Sequence, residues 1–406
     1  MGKSIGMLLD GFYPSDIRVQ KEAKSLIEAG FNVALLCKRR SGEKYFEVFE
    51  GIHLMRINAG STHTAKGIID ILLSLNFIHL IFKRKIIQFI KRFSIDVLHV
   101  HDLPLVKTAI WASQKYNIKV VADFHENYPE ALKVWFQWKK NPIIRLKNKV
   151  FFGYSRWSRY ERWAVYHVDY VIAVVNEMKD RLIKEHNIEE NKIFVVTNTE
   201  SKSFIKSELD NSIYNEDKNK FIIAYTGVVG PHRGVDTAIE ALNYLKRFEK
   251  IVLYVIGFLS KAARKAMDLS IKRNGLEGRV KVLGYRPFSE FYSFMKMASV
   301  NIIPHHRNGH TDNTIPHKLF QCMMVGKPLL VSSSTPLKRV VNETKSGLVF
   351  EAGNPKDLAD KALALYNDRN KCILLGGNGI KSTLEGDYNW ENTSMILVNM
   401  YNEILN

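Results

Sequence analysis

Short apolar runs alternate with longer stretches of helical period along nearly the whole chain. Runs at 5–9, 33–37, 97–100, 119–122, 170–175 and 193–196 have strand length and continuous apolar character, as expected of strands buried on both faces. Residues 52–57 alternate instead and predict an edge strand. Residues 18–29 place Ala23, Leu26 and Ile27 on one helical face before a stop at Gly30, and Pro104 opens a predicted helix to about 116. A polar break rich in Lys, Asn, Asp, Ser and Glu covers 201–219 and predicts a linker. The alternation then restarts, with strands at 221–226, 251–256, 280–283, 300–303, 329–331 and 348–350 and helices at 234–247, from 355 to about 366, and 390–405. This order predicts an α/β protein of two Rossmann-like doubly wound domains facing across a cleft, with ligands at strand carboxyl ends. The expected boundaries are an N-terminal domain over 1–200, a linker over 201–219, a C-terminal domain over 220–385, and a helix over 386–406 crossing back to the first domain.

Composition narrows the class. The 406 residues exceed one ordinary core, and 46% apolar with 11% aromatic residues marks a globular chain. Cys37, Cys322 and Cys372 are odd in number and form no C-x-x-C pair, which predicts reduced thiols and a cytoplasmic location. The opening residues, with Asp10 following a short apolar run, do not read as a signal peptide. The net charge of +18 points to an anionic membrane surface or phosphorylated substrates; no zinc finger, aromatic RNA-binding signature or basic zipper supports nucleic acid.

Three stretches carry candidate chemistry. In Gly309–Ser333 a polar loop runs through Pro316 into a short predicted helix, which Gly326 stops before Lys327-Pro328 and an apolar strand. The start of that helix offers N–H groups and a partial positive charge to a phosphate, and Lys318 and Gln321 share one helix face. The turn Gly227-Val-Val-Gly-Pro-His-Arg-Gly234 follows a strand and allows close backbone approach to a ligand, but it is not a Walker loop. No Gly-x-Gly-x-x-Gly follows a strand, which argues against a dehydrogenase. His101 and His125 close two strands of the first half, with Glu126 a candidate base. The cluster His305, His306, His310 and His317 completes no zinc spacing, and Asp-x-Asp is absent, so no metal is expected.

The Gly309–Ser333 stretch resembles the donor-site signature of the retaining glycosyltransferases of family 4. That signature has two Glu eight positions apart, the second in a helix ending Gly-Lys/Thr-Pro; here Asn313 and Gln321 stand in those places. The resemblance implies a GT-B fold whose first domain takes the acceptor and whose second takes a nucleotide diphosphate sugar, a co-substrate, with no further cofactor. It implies that Arg233, in Arg-Gly-Val-Asp, and Lys318 hold the diphosphate with the backbone of Asn313, Thr314 and Ile315, while Val228 replaces a family Arg. Gln321 would meet ribose hydroxyls, Asn313 the transferred sugar (with Asp312 as a neighbouring carboxylate), and Gly227 and Tyr285 would border the nucleotide. In the first domain Gly11 would let the opening loop lie over the phosphates, Arg18 would serve there or in a salt bridge, and His125 would contact the transferred sugar. The implied reaction is metal-independent hexosyl transfer to a cell-envelope glycan or lipid-linked acceptor. The alternatives are a catalytically weak nucleotide-sugar or glycan-binding homologue, and a sugar epimerase of the same fold.

Two segments predict contact with an anionic membrane surface from its inner face. Residues 66–93 combine an apolar run, too short to span a bilayer, with basic residues at its end. Residues 133–163 interleave Trp135, Trp138, Trp157, Tyr160 and other aromatics with Lys139, Lys140, Arg145 and Lys149.

Overall fold

The computed structural model describes residues 2–58, 63–136 and 141–405. The chain divides into two compact units, Met1–Thr197 with Ser394–Asn406, and Asn198–Thr393. The first contains an eight-stranded sheet built from β1 (Ser4–Phe12), β2 (Asn32–Lys38), β3 (Phe46–Phe49), β4 (Ile52–Ile57), β5 (Val97–His101), β6 (Lys119–Phe124), β7 (Tyr170–Ala173) and β8 (Ile193–Val195). Its order is β3-β4-β2-β1-β5-β6-β7-β8. Every pairing is parallel except β3 with β4. The order reverses between β1 and β5, which puts the ends of β1, β5 and β6 at a switch point.

The second unit holds β9 (Phe221–Thr226), β10 (Ile251–Ile256), β11 (Val280–Gly284), β12 (Val300–Ile303), β13 (Leu329–Ser332) and β14 (Gly347–Phe350), all parallel, in the order β11-β10-β9-β12-β13-β14. Here the reversal lies between β9 and β12. Side chains alternate across β9: Ile223 and Tyr225 join Val235, Ile239 and Leu253 on one face, and Ile222 and Ala224 join Tyr214, Tyr254 and Phe294 on the other. A strand covered on both faces accounts for the continuous apolar runs.

The elements follow the sequence pattern with three corrections. Residues 52–57 form β4, but the sheet edge is the antiparallel β3, whose alternating exposure hides its strand character. The stretch 201–219 belongs to the second unit and is no free linker. Phe204 and Tyr214 in it are buried, Tyr214 donates to the Phe294 carbonyl at 3.0 Å, and Asp217 accepts from Tyr254 at 2.6 Å. Helix Val235–Ala241 is shorter than the periodicity of 234–247 suggests. Residues 66–93 fall in two helices, His63–Asn76 and Leu80–Phe93, broken at Phe77 with φ 59°. The final helix, Trp390–Leu405, has the expected bounds, and its residues from Ser394 onward group with the first unit.

Candidate active site

In the second unit, β9 runs into Gly227 and β12 into Pro304 and His305, the two loops flanking the switch point. Gly234 allows them to touch. Its φ is 67°, and a Cβ there would lie 1.7 Å from the Pro304 carbonyl oxygen, so only glycine fits. The short turn Pro231–Arg233 carries Arg233, whose Nη1 lies 3.2 Å from His305 Nε2. Lys318 reaches the same place from helix Lys318–Met324: its buried Nζ donates to the Thr226 carbonyl at 3.0 Å and sits 3.9 Å from the centre of the Tyr225 ring. Gly227, with φ 124°, lies beside it, and a Cβ would come within 3.5 Å of that ammonium nitrogen. Tertiary structure therefore brings Gly227, Arg233 and Lys318 together.

The electrostatics favour an anion. Burial, and then the Arg233 charge, hold Lys318 well below the usual amine range. The same causes depress three imidazoles: His232 falls to about 3, His310 to about 4, and His305 lies well below its usual value. A bound anion would offset the Arg233 charge and favour the charged form of Lys318.

The rest of the signature is arranged less simply. The helix opens at Lys318, not at Pro316. Leu319 N–H donates to the Pro316 carbonyl and Phe320 N–H to that of His317, so the first donors are spent within the turn. Asn313 closes its own loop, through Nδ2 to the Gly309 carbonyl at 2.8 Å and through its N–H to the His310 carbonyl. Thr314 Oγ1 donates to the His310 carbonyl, and the Ile315 side chain is buried. Asp312 is engaged by Arg307 and by the N–H of Thr335 at 2.9 Å. Gln321 is buried rather than presented on a helix surface, and its Nε2 donates to Glu200 Oε2 at 2.7 Å. Glu200 is a site neighbour that sequence spacing does not reveal. Tyr285 is 73% exposed on the turn after β11.

In the first unit, Asp123 at the end of β6 anchors a buried polar network. Arg18 bridges Asp123 Oδ1 and Glu22 Oε1, each at 2.7 Å, which settles its salt-bridge role. Asp123 Oδ2 faces His125 Nε2 at 2.8 Å, His101 Nδ1 at 3.2 Å and His99 Nε2 at 3.4 Å, while His99 Nδ1 meets the Tyr401 hydroxyl at 2.6 Å. Burial would raise the Asp123 pKa, but Arg18 and His125 hold it well below the usual carboxylate range. Burial likewise opposes charge on His125, yet Asp102 and Asp123 raise it to about 9. His101, buried beside His99 and His125, falls to about 3, and burial with the Asp123 charge raises Glu22. Gly11 lies within β1 at negative φ, and an added Cβ there would make only ordinary contact with Leu9, so the backbone does not require glycine.

Glu22, His99, His101 and Asp123 each offer a ligand atom within 4.8 Å of the others. Their spacing suits a divalent cation, but Arg18 already spans both carboxylates and supplies a positive charge. Sequence spacing singles out only His101 of this quartet, and Tyr401, which bonds His99, comes from the far end of the chain.

The surfaces expected to meet a membrane divide. Trp157 and Tyr160 are core residues, and Tyr160 is bonded to the Leu103 carbonyl, because helix Tyr154–His167 packs inward. Ile143, Leu146 and Val150 on helix Pro142–Phe151 and Ile68, Leu72 and Leu75 on helix His63–Asn76 are exposed, and the two helices touch. Trp138, Lys139 and Lys140 lie outside the described residues. Among the described residues, no helix is long and apolar enough to cross a membrane.

Comparison with known proteins identifies the family and the fold. The family model described as Glycosyltransferase Family 4 matches residues 17–199, and that of Glycosyl transferases group 1 matches residues 206–382. The chain is 26% identical over 311 residues to an uncharacterised glycosyltransferase of Methanocaldococcus jannaschii, covering 76% of each. It is 25% identical over 273 residues to the capsular polysaccharide biosynthesis glycosyltransferase CapM of Staphylococcus aureus, covering 64% of this chain and 69% of that one. The solved structure of Anabaena HepE in complex with UDP superposes with a TM-score of 0.74 at 14% identity, over 99% of this chain and 100% of that one, which shows a shared fold. Two consecutive family matches on a pair of parallel α/β units establish that the chain belongs to the family 4 type of glycosyltransferases, with a GT-B fold.

Proposed function

We propose that the protein is a retaining, metal-independent hexosyltransferase that moves a sugar from a nucleotide diphosphate sugar to a cell-envelope glycan or lipid-linked acceptor. The convergence of Gly227, Arg233 and Lys318 at the ends of β9 and β12 carries this reading. Arg233 and Lys318 hold the diphosphate and stabilise the leaving charge, joined by the N–H groups of Thr314 and Ile315, with Tyr285 beside the base. His125 addresses the transferred sugar, and the leaving phosphate oxygen takes the acceptor proton on the same face. The polysaccharide acceptor class is supported by the name of CapM, and a uridine diphosphate donor by the ligand of HepE.

The acceptor is met at the inner membrane face. The exposed apolar stripes of helices His63–Asn76 and Pro142–Phe151, with Arg145 and Lys149 alongside, enter an anionic lipid interface while the enzyme remains cytoplasmic. Calorimetry with UDP tests the donor site. Arg233→Ala is expected to weaken binding by about 10–100-fold with the fold intact, and unchanged affinity would overturn the assignment. NMR of the new glycosidic linkage in the product tests retention.

A second reading, a homologue with weak catalysis, is favoured by one observation: the amides of Asn313 and Gln321 are bonded to Gly309 and Glu200. Turnover of UDP-sugars in the presence of membrane acceptors separates the two.

A further inference from the structure

We propose that Asp123 is a positioning residue that captures Nε2 of His125 and fixes that ring as a cationic hydrogen-bond donor through Nδ1, so that His125 cannot serve as a general base. The inference rests on the reading of His125 as the group that faces the transferred sugar.

Geometry carries it. His125 stands between two carboxylates, with Nε2 2.8 Å from Asp123 Oδ2 and Nδ1 3.7 Å from Asp102 Oδ2. An imidazole with a carboxylate at each nitrogen is stabilised in the doubly protonated form. The two carboxylates are not equivalent. Asp123 is fully buried, with Oδ1 held by Arg18, and three imidazole nitrogens converge on Oδ2. It cannot turn away from Nε2. Asp102 is too far from Nδ1 to claim that proton, and Nδ1 makes no hydrogen bond among the described residues.

Charge balance agrees. The groups facing His125 are Asp102, Asp123, Glu22, Arg18 and His101. Arg18 is bonded to both Glu22 and Asp123, burial with the Asp123 charge raises Glu22, and a cationic His125 adds a second positive group between Asp123 and Asp102. His101 stays neutral next to it. Tyr401 orients His99 from its other nitrogen, which keeps Nε2 of His99 on Asp123.

Nitrogen NMR of the full-length protein with labelled histidine rings tests the assignment, with the His125 signal identified by its loss in His125→Gln. In the unaltered protein both ring nitrogens of His125 are expected to remain protonated at about pH 8, with titration near 9. A neutral ring at that pH overturns the proposal without any variant. In Asp123→Asn, with Asp102 still facing the ring, the titration is expected to fall from near 9, and kcat for transfer above the new titration point to fall at least tenfold while the donor KM changes little. Lowering the pH beneath the new titration point should recover part of the rate, a rescue that a purely structural loss would not show. Should Asp123→Asn fail to fold, Asp102→Asn, on the accessible side of the ring, supplies the comparison. It is expected to leave the Nε2 proton signal in place, and loss of that signal would count against Asp123 as its holder. If the ring is cationic but His125→Ala transfers sugar at full rate, the Asp123 assignment stands and the sugar-facing role of His125 is the part that fails.

Discussion

The Nε2 amide of Gln321 donates to Glu200 Oε2 at 2.7 Å, both side chains buried in the second unit. Glu200 Oε1 also accepts from the N–H of Ser201 at 2.8 Å and His317 Nε2 lies 3.4 Å from Oε2, so the carboxylate is held from three directions, while its backbone carbonyl accepts from Trp390 at 2.9 Å. The carboxylate that the family signature would place at 321 is thus present next door, on another segment of the same unit. Gln321→Glu would set two buried carboxylates against each other and is expected to destabilise the protein by about 2–4 kcal/mol. The double substitution Gln321→Glu with Glu200→Gln reverses donor and acceptor and is expected to recover most of that loss. Urea melts of the parent, the two single variants and the double variant measure it; additive losses in the double variant would show that the pair is not coupled.

Gly234→Ala tests the loop closure. The new Cβ would fall 1.7 Å from the Pro304 carbonyl oxygen at a positive φ. A loss of more than about 2 kcal/mol is expected, with weakened UDP binding because Arg233 and His305 move apart. Thermal unfolding and calorimetry read the two effects, and a variant as stable as the parent would mean the loops do not close as described.

Stability should depend on pH through the Asp123–His125 pair. The folded His125 pKa, about 9, lies above its unfolded value, so its contribution is complete below about 6.5 and fades as pH rises through 9. Asp123 is depressed, so its contribution is present above about 3.9 and is lost as pH falls further. Together they predict a plateau between, with a decline of about 3 kcal/mol on the alkaline side that His125→Gln abolishes. Denaturant midpoints across pH measure this; an identical alkaline decline in His125→Gln would assign it elsewhere.

Vesicle binding should follow the exposed stripe of helix Pro142–Phe151. Ile143 and Leu146 are 77% and 65% exposed. Replacing both with Asp is expected to reduce flotation with anionic vesicles about tenfold or more at low salt, while the melting temperature holds. Equal flotation of parent and variant would remove this face from the interface.

Removal of divalent ions by EDTA is expected to leave the melting temperature unchanged, because Arg18 already bridges Glu22 and Asp123. A clear drop, reversed by zinc, would show that the protein holds an ion, at Glu22, His99, His101 and Asp123 or at Glu161, Glu185 and His186.

By itself the sequence determined the alternation of strands and helices, because strands covered on both faces must be continuously apolar and helices must show one apolar stripe. It also singled out the loop of Gly227 and Gly234 together with Arg233 and Lys318, residues that the fold then places side by side. Strand β3 was not legible, because an exposed edge strand buries too little to leave an apolar signature. Nor was the place of 201–219, where the isolated Phe204 and Tyr214 anchor an otherwise polar segment. Only the tertiary structure decided that Gln321 faces Glu200 and that Arg18, His99, Asp123 and Tyr401 converge behind His125. Such pairings join residues far apart in the chain, and no local period or spacing records them; they exist because parallel sheets bring the carboxyl ends of distant strands side by side.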